Sequence, residues 1–235
     1  MALVTVASYN THWGRDMRGR PFDVVEVCRR LDCDVVVLQE SWRPHGGEGD
    51  ADRAARLLGY TVEHLELGQG YVERRPRLAH RPGPAQGSWG VSVLCRLPET
   101  SFAAVELGSL PMDQAPRRAA VRLDAVVAGR AFTVFGTHLS HLSHGSPLLV
   151  RRLARHLPGP DHPTAVAGDM NMWGPVITAL LPGWRRAVVG RTWPARMAHS
   201  QIDHVMVNPA VQVVGSSVPR AGRSDHRPVM AVLRV

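Results

Sequence analysis

The chain has 235 residues, 44% of them hydrophobic and 20% charged, which suits one folded domain with a full core and excludes a disordered or collagen-like chain. Its formal net charge is +8, from 28 basic and 20 acidic residues; this points to acidic partners, although every basic residue is Arg, a bias that blunts the inference. No apolar run reaches spanning length, the opening MALVTVASYNTHWGR lacks the features of a secretory leader, and Cys28, Cys33 and Cys95 form no CxxC, so a membrane segment, a leader and a disulfide or thiolate-metal scaffold are not expected.

Residues 4–7 have the length and branching of a strand, which ends near Asn10. Val24, Val25, Val27, Cys28 and Leu31 recur at helical spacing. A second strand, residues 35–38, runs into Glu40. The turn-rich stretch 44–50 reads as a surface loop. Ala54, Ala55, Leu57 and Leu58 suggest a second helix. Residues 74–88, rich in Pro and Gly, read as another surface loop before a strand at 90–94.

Strands at 121–127 and 132–136 flank Ala128-Gly129-Arg130, which reads as a hairpin turn, and the second leads to His138. Leu148, Leu149, Leu153 and Leu157 mark a third helix. A strand at 165–167 is followed by Asp169 and Asn171. The last strands are expected at 202–207, 211–214 and 229–233. Asp203 and His204 interrupt the first of these, and Asp225 and His226 precede the third. Strands outnumber helices too far for a simple βαβ series. Two sheets packed face to face, with helices outside, are expected in one domain spanning 1–235.

Polar residues at strand ends are informative because strand ends are rigid platforms. Singly, an Asp or Asn there is most simply a turn residue, and a His a hydrogen-bonded structural group. Asp203, between Ile202 and Val205, needs a buried partner. The order and spacing of the whole set resemble the endonuclease/exonuclease/phosphatase superfamily, with its deoxyribonuclease-like fold. The matching segments are Asn10, LQE ending at Glu40, GVSVLCRLP at 90–98, THL with His138, GDMN at 168–171, IDHV at 202–205 and SDHRPV at 224–229. The resemblance departs at His12, where many nucleases of the superfamily carry an acid, and at their mid-chain Tyr, for which Tyr71 is the only candidate and sits in unlike surroundings.

The resemblance implies an α/β four-layer sandwich, with two mixed, mostly antiparallel sheets, and divalent-metal-dependent hydrolysis of a phosphate ester. Its site would use Mg²⁺, with Mn²⁺ as the alternative, held by Glu40 with Asn10 and Asp225 as supporting oxygens. Asp169 would orient or deprotonate the attacking water, with Asn171 fixing the phosphate or that water. His226, held by Asp203, and His138 would contact phosphoryl oxygens. A zinc site on His138, His141 and His144 is a weaker reading, since Gly145 and Pro147 break the helix it needs.

Trp13, Trp42, Trp173 and Trp193 lie beside these motifs, and arginines share the same loops. Trp13 and Trp173 could stack a substrate and Arg118 could hold a phosphate, so nucleic acid is one expected partner. A phosphorylated small molecule or a lipid headgroup is the alternative, and an inactive binding module of the same fold a second. A monomer in the reduced cytoplasm is expected.

Overall fold

The computed structural model describes residues 2–70 and 86–235. Side-chain alternation decides its layers. In β1 (Leu3–Asn10), Val4 and Val6 join one core while Ala7 and Tyr9 join another. In β2 (Val35–Pro44), Val35 and Val37 share the first core and Val36 and Leu38 the second. Burial on both faces is why these strands read as unbroken apolar runs.

β1 and β2 pair in parallel. With β3 (Thr61–Gly70), β4 (Gly87–Cys95), β11 (Gln212–Ser217) and β12 (Val229–Arg234) they form a six-stranded sheet in the order β11-β12-β1-β2-β4-β3. The second sheet contains β5 (Ser101–Gly108), β6 (Arg118–Val127), β7 (Arg130–His138), β8 (Thr164–Asp169), β9 (Arg185–Arg186) and β10 (Asp203–Val207), ordered β5-β6-β7-β8-β10-β9. Its one parallel pair is β7 with β8.

The two sheets share an inner core that includes Val4, Val37, Val93, Val121, Val134 and Val205. Helices α1 (Val24–Leu31) and α2 (Asp50–Leu58) cover the outer face of the first sheet. Leu149 and Leu153 of α3 (Gly145–Ala154) and Ile177 of α4 (Gly174–Leu180) cover Phe135, Val166 and Met206 on the second. The result is the expected four-layer sandwich. Asp23 starts α1 by accepting the Val25 and Glu26 amides. At the predicted hairpin, Ala128 and Gly129 both adopt left-handed φ (49° and 77°) and Val127 pairs with Arg130. No helix among the described residues is long and apolar enough to cross a membrane.

Four elements escape the sequence reading. β3, β5 and β9 end their sheets, so they lack the double burial that makes an apolar run. α4 is seven residues long, too short to display a helical period. Two loop boundaries are also corrected. β2 runs to Pro44 and α2 begins at Asp50, which shortens that loop. Of the stretch 74–88, Gly87 and Ser88 are strand, since β4 pairs on one side with Pro44 and Arg43 and on the other with Gly70 and Gln69. The rest of that stretch up to residue 85, and Tyr71, lie outside the described residues. All three cysteines are buried free thiols.

Candidate active site

Strand register assembles the site. His138 ends β7 directly opposite Asp169 at the end of β8, and Asp169 faces Asp203 at the start of β10. These three side chains therefore lie abreast at one edge of the second sheet. In the first sheet Asn10 pairs with Gln39, one residue before Glu40. Pairing of β2 with β4 slips between Leu38 and Ser41, and Glu40 occupies that bulge with a left-handed φ of 48°. A bulge re-aims a side chain at low cost to the rest of the strand.

One amide joins the sheets. Asn10 Nδ2 donates to Glu40 Oε1 and to Asp169 Oδ2, each at 3.1 Å, while Asn10 Oδ1 accepts the His12 amide at 3.0 Å. The Asn171 amide donates to Asp169 Oδ1 at 2.9 Å, and Asn171 Nδ2 donates to the Leu139 carbonyl at 3.1 Å. Asn171 needs a left-handed φ of 49° to do so. The partner that Asp203 requires is His226, whose Nδ1 lies 3.0 Å and 3.1 Å from its two oxygens. The opposite nitrogen, His226 Nε2, lies 3.7 Å from Asp169 Oδ2, as does His138 Nε2.

Charge follows from these distances. Burial works against a charged His226, but the Asp203 and Asp169 carboxylates outweigh it and push the imidazole up to about 10. It is a cation at neutral pH. Burial pushes the Asp169 carboxyl up to about 7, against the pull of His226. Burial, with the Arg118 charge next, holds His138 well below its ordinary range, so it is neutral.

Glu40, Asp169, Asn171, His138, His226, Arg118 and Trp13 line one cavity of about 220 Å³. Asn10 and Asp203 act from behind this lining. Trp89, Gln114 and His141 also line it, and the sequence reading missed them in this role. Trp89 lies just ahead of the GVSVLCRLP segment and packs edge-on against His138, a signal recognisable only with the strand pairing known. Gln114 carries no sequence signal.

Three expected residues sit differently. Arg118 lines the cavity, but Asp113 grips its guanidinium through two hydrogen bonds and the His138 carbonyl accepts a third at 3.1 Å. It braces His138 as much as it faces a ligand. Trp173 is 67% exposed and lines a neighbouring groove with Arg186 and Arg191. Asp225 is turned away from the cavity, accepting hydrogen bonds from Ser224 Oγ at 3.2 Å and Trp193 Nε1 at 3.3 Å. Its Oδ1 lies 3.8 Å from His12 Nδ1. Trp13 stacks on Trp42, with ring centroids 5.5 Å apart.

The donors suit a hard divalent cation. Glu40 is a half-buried carboxylate that faces the cavity without a cationic partner among the described residues, and Asn10 Oδ1 keeps a second lone pair. Asp169, Asp203 and His226 also offer ligand atoms within 4.8 Å of one another. With His226 protonated on both nitrogens, that trio is a hydrogen-bonded row rather than a chelate. His141 and His144 are exposed and do not converge with His138 on a metal-ligand cluster, which removes the zinc reading.

The sequence profile of the Endonuclease/Exonuclease/phosphatase family matches residues 7–226. No curated protein matches the sequence. Among solved structures, an endonuclease/exonuclease/phosphatase from Beutenbergia cavernae DSM 12333 superposes with a TM-score of 0.78 at 24% identity, over 100% of this chain and 72% of that one. The catalytic domain of human Nocturnin, with bound sulfate, gives 0.71 at 15% identity, covering 99% and 94%. A mannosyl-6-phosphatase from Bacteroides thetaiotaomicron VPI-5482 gives 0.67 at 17%, covering 99% and 100%. At such identities the likeness is one of fold.

Proposed function

The chain belongs to the endonuclease/exonuclease/phosphatase family, and from that premise we propose that it is a divalent-metal-dependent phosphoric ester hydrolase of the phosphodiesterase or nuclease type. One observation carries the reading. Asn10 Nδ2 bridges Glu40, which has no cationic partner among the described residues, to Asp169, and Asp169 in turn faces the charged His226. A cation-ready carboxylate, a base and a fixed imidazolium thereby meet in one cavity.

Asp169 takes the proton of the attacking water. Its burial-raised pKa of about 7 suits a general base at neutral pH. The Asn171 amide holds Oδ1 and the Asn10 side-chain amide donates to Oδ2, whose second lone pair, beside the Nε2 atoms of His226 and His138, is the working site. Asp203 holds Nδ1 of His226, so the Nε2 proton is presented to a phosphoryl oxygen. His138, neutral and braced by Arg118, places a second ring nitrogen beside Asp169. Glu40 and Asn10 would hold Mg²⁺ or Mn²⁺, with Asp225 as an outer oxygen because Ser224 and Trp193 already donate to it. Such an ion, when bound, neutralises phosphoryl charge. Trp13 supplies an aromatic wall on which a base or sugar can rest.

A phosphorylated small molecule is the second reading, favoured by the modest cavity of about 220 Å³. We further take residues 1–235 as one monomeric domain working in a reduced, cytoplasmic setting, in keeping with the shared core and three free thiols.

The test is a substrate panel with Mg²⁺ or with chelator: supercoiled plasmid, single-stranded DNA, RNA, a generic phosphodiester and several phosphomonoesters. The expected result is chelator-sensitive diester cleavage, which Asp169→Asn lowers by roughly 10²–10⁴-fold without changing the melting temperature. Cleavage of monoesters alone would sink the diesterase assignment, and full activity in chelator would sink the metal dependence.

A further inference from the structure

His226 belongs to two cavities. Beyond the acid-lined one lies a second, of about 190 Å³, walled by Arg196, Arg220 and Arg227 together with Ala195, Ala221 and Gly222. We propose that this second cavity is a phosphate subsite, which takes a phosphate group of the substrate other than the one whose ester is cleaved. The subsite rests on the phosphoesterase reading for the chemistry next door, but, His226 apart, it is built from other residues.

The cavity is walled by cations and no acids. Arg196 and Arg220 make no ion pair among the described residues. Arginines earlier in the chain behave otherwise: Arg20, Arg43 and Arg56 are each held by a carboxylate. Arg227 donates Nε to the Ala195 carbonyl at 2.8 Å, which fixes the root of its guanidinium. Its terminal nitrogens have no partner among the described residues.

The walls are also fixed in place. Gly222 has a left-handed φ of 92°, and a Cβ there would meet the Tyr9 hydroxyl at 2.2 Å. The loop is thus drawn against the end of β1, where the Ser224 amide donates to Tyr9 Oη at 3.1 Å. The facing segment is tied to the same loop. The Ala195 amide donates to the Asp225 carbonyl at 2.6 Å, and the Arg227 amide to the Thr192 carbonyl at 2.9 Å. Three guanidiniums on a fixed frame, contiguous through the His226 ring with the cavity proposed to hold the scissile ester, match a second dianion. A substrate with a single phosphate leaves the subsite unfilled. The substrate class is therefore one with two neighbouring phosphates, either consecutive phosphates of a short strand or those of a bisphosphorylated small molecule.

Matched pairs of substrates test this: a dinucleotide with and without a terminal phosphate, and a hexose bisphosphate against its monophosphate. Each is measured with the wild type and with Arg196→Gln/Arg220→Gln. The wild type is expected to favour the doubly phosphorylated member of one pair by at least about tenfold in kcat/KM, and the double variant to lose that preference. The pair that shows it separates strand from small molecule. A preference that survives in the double variant overturns the subsite, as does its absence from both pairs. Calorimetric titration with inorganic pyrophosphate decides the case in which nothing is turned over. Binding by the wild type that the double variant loses supports the subsite even if the phosphoesterase reading fails, and equal binding overturns it. Matching melting temperatures confirm that the variant is folded.

Discussion

Glu40 and Asn171 share an unusual backbone. Both have left-handed φ, as do His12 and Trp13 beside them, and none is a glycine. Such conformations cost roughly 1–3 kcal/mol each and persist where the surroundings over-determine them. Here they turn Glu40 and Asn171 into the cavity. If Glu40 is the principal oxygen for a cation, Mg²⁺ at about a hundred times its Kd should add roughly 2.7 kcal/mol to stability. Melting of the wild type should rise with Mg²⁺, and melting of Glu40→Gln should stay flat; an equal rise in both would remove Glu40 from the metal site. Asn10, His138, Asp169 and Asp203 were legible in the sequence because each ends or starts a strand, and a polar residue at such a place stands out from apolar neighbours. Trp89 was not, because a Trp inside a buried strand looks like core until its neighbour His138 is known. Trp173 misled for the opposite reason. Its closeness to Asn171 in sequence suggested the cavity, yet the chain turns into α4 and carries the ring outward.

At the scale of elements, legibility followed burial. The central strands β1, β2, β7 and β8 announced themselves through apolar runs, while the edge strands β3, β5 and β9 did not; β11, also an edge, was legible through Val211, Val213 and Val214. The central strands also tolerate least. A Cβ on Gly168 in β8 would meet the Thr137 carbonyl of β7 at 2.0 Å, one residue from the row of His138, Asp169 and Asp203. Gly168→Ala should therefore cost about 2 kcal/mol in urea unfolding and lower activity as well, since Asp169 must move with the strand. Edge strand β3 contains a different vulnerability. His64 Nδ1 lies 2.8 Å from Ser92 Oγ, and that hydroxyl donates to Ser41 Oγ. His64 must then donate through Nδ1, which leaves a buried, unpartnered Nε2 as the only place for a second proton. Burial, with the Arg43 charge next, pushes this imidazole down to about 4. Below the ordinary His range the unfolded chain gains a proton that the folded chain refuses. Stability is thus fully present above about pH 6.5 and falls by roughly 2–3 kcal/mol as pH drops to about 4. In His64→Gln that share of the acid sensitivity should vanish, read as the difference between wild-type and variant unfolding free energies near pH 7 and near pH 4.5.

For the whole molecule the decisive quantity is where the charge lies. Residues 170–235 contain eight Arg and only Asp203 and Asp225 as acids, so they hold six of the eight net positive charges, while the first 169 residues are nearly balanced. The arginines that share loops with the site motifs therefore do not contribute equally to the field. Arg20, in an early loop, and Arg43, near the end of β2, are paired with Asp16 and Asp52, and Arg15 donates to the Gly19 carbonyl. Among the described residues, Arg191, Arg196, Arg220 and Arg223 have no carboxylate partner and form a rim from one late stretch of chain. The carboxylates of Glu40 and Asp169 in the cavity would repel a phosphate dianion, and a one-sided field of this kind offsets that repulsion during approach. Because rim charges are exposed, salt screens them far more than it screens the buried Asp203–His226 pair. Between about 20 mM and about 300 mM salt, kcat/KM for a substrate with several phosphates should fall by roughly tenfold or more, with kcat little changed. Arg191→Gln/Arg223→Gln, which leaves the cavity walls intact, should flatten that slope. A slope that the double variant leaves untouched would place the attracting charge elsewhere, and a rate insensitive to salt would show that the excess of Arg serves no approach at all.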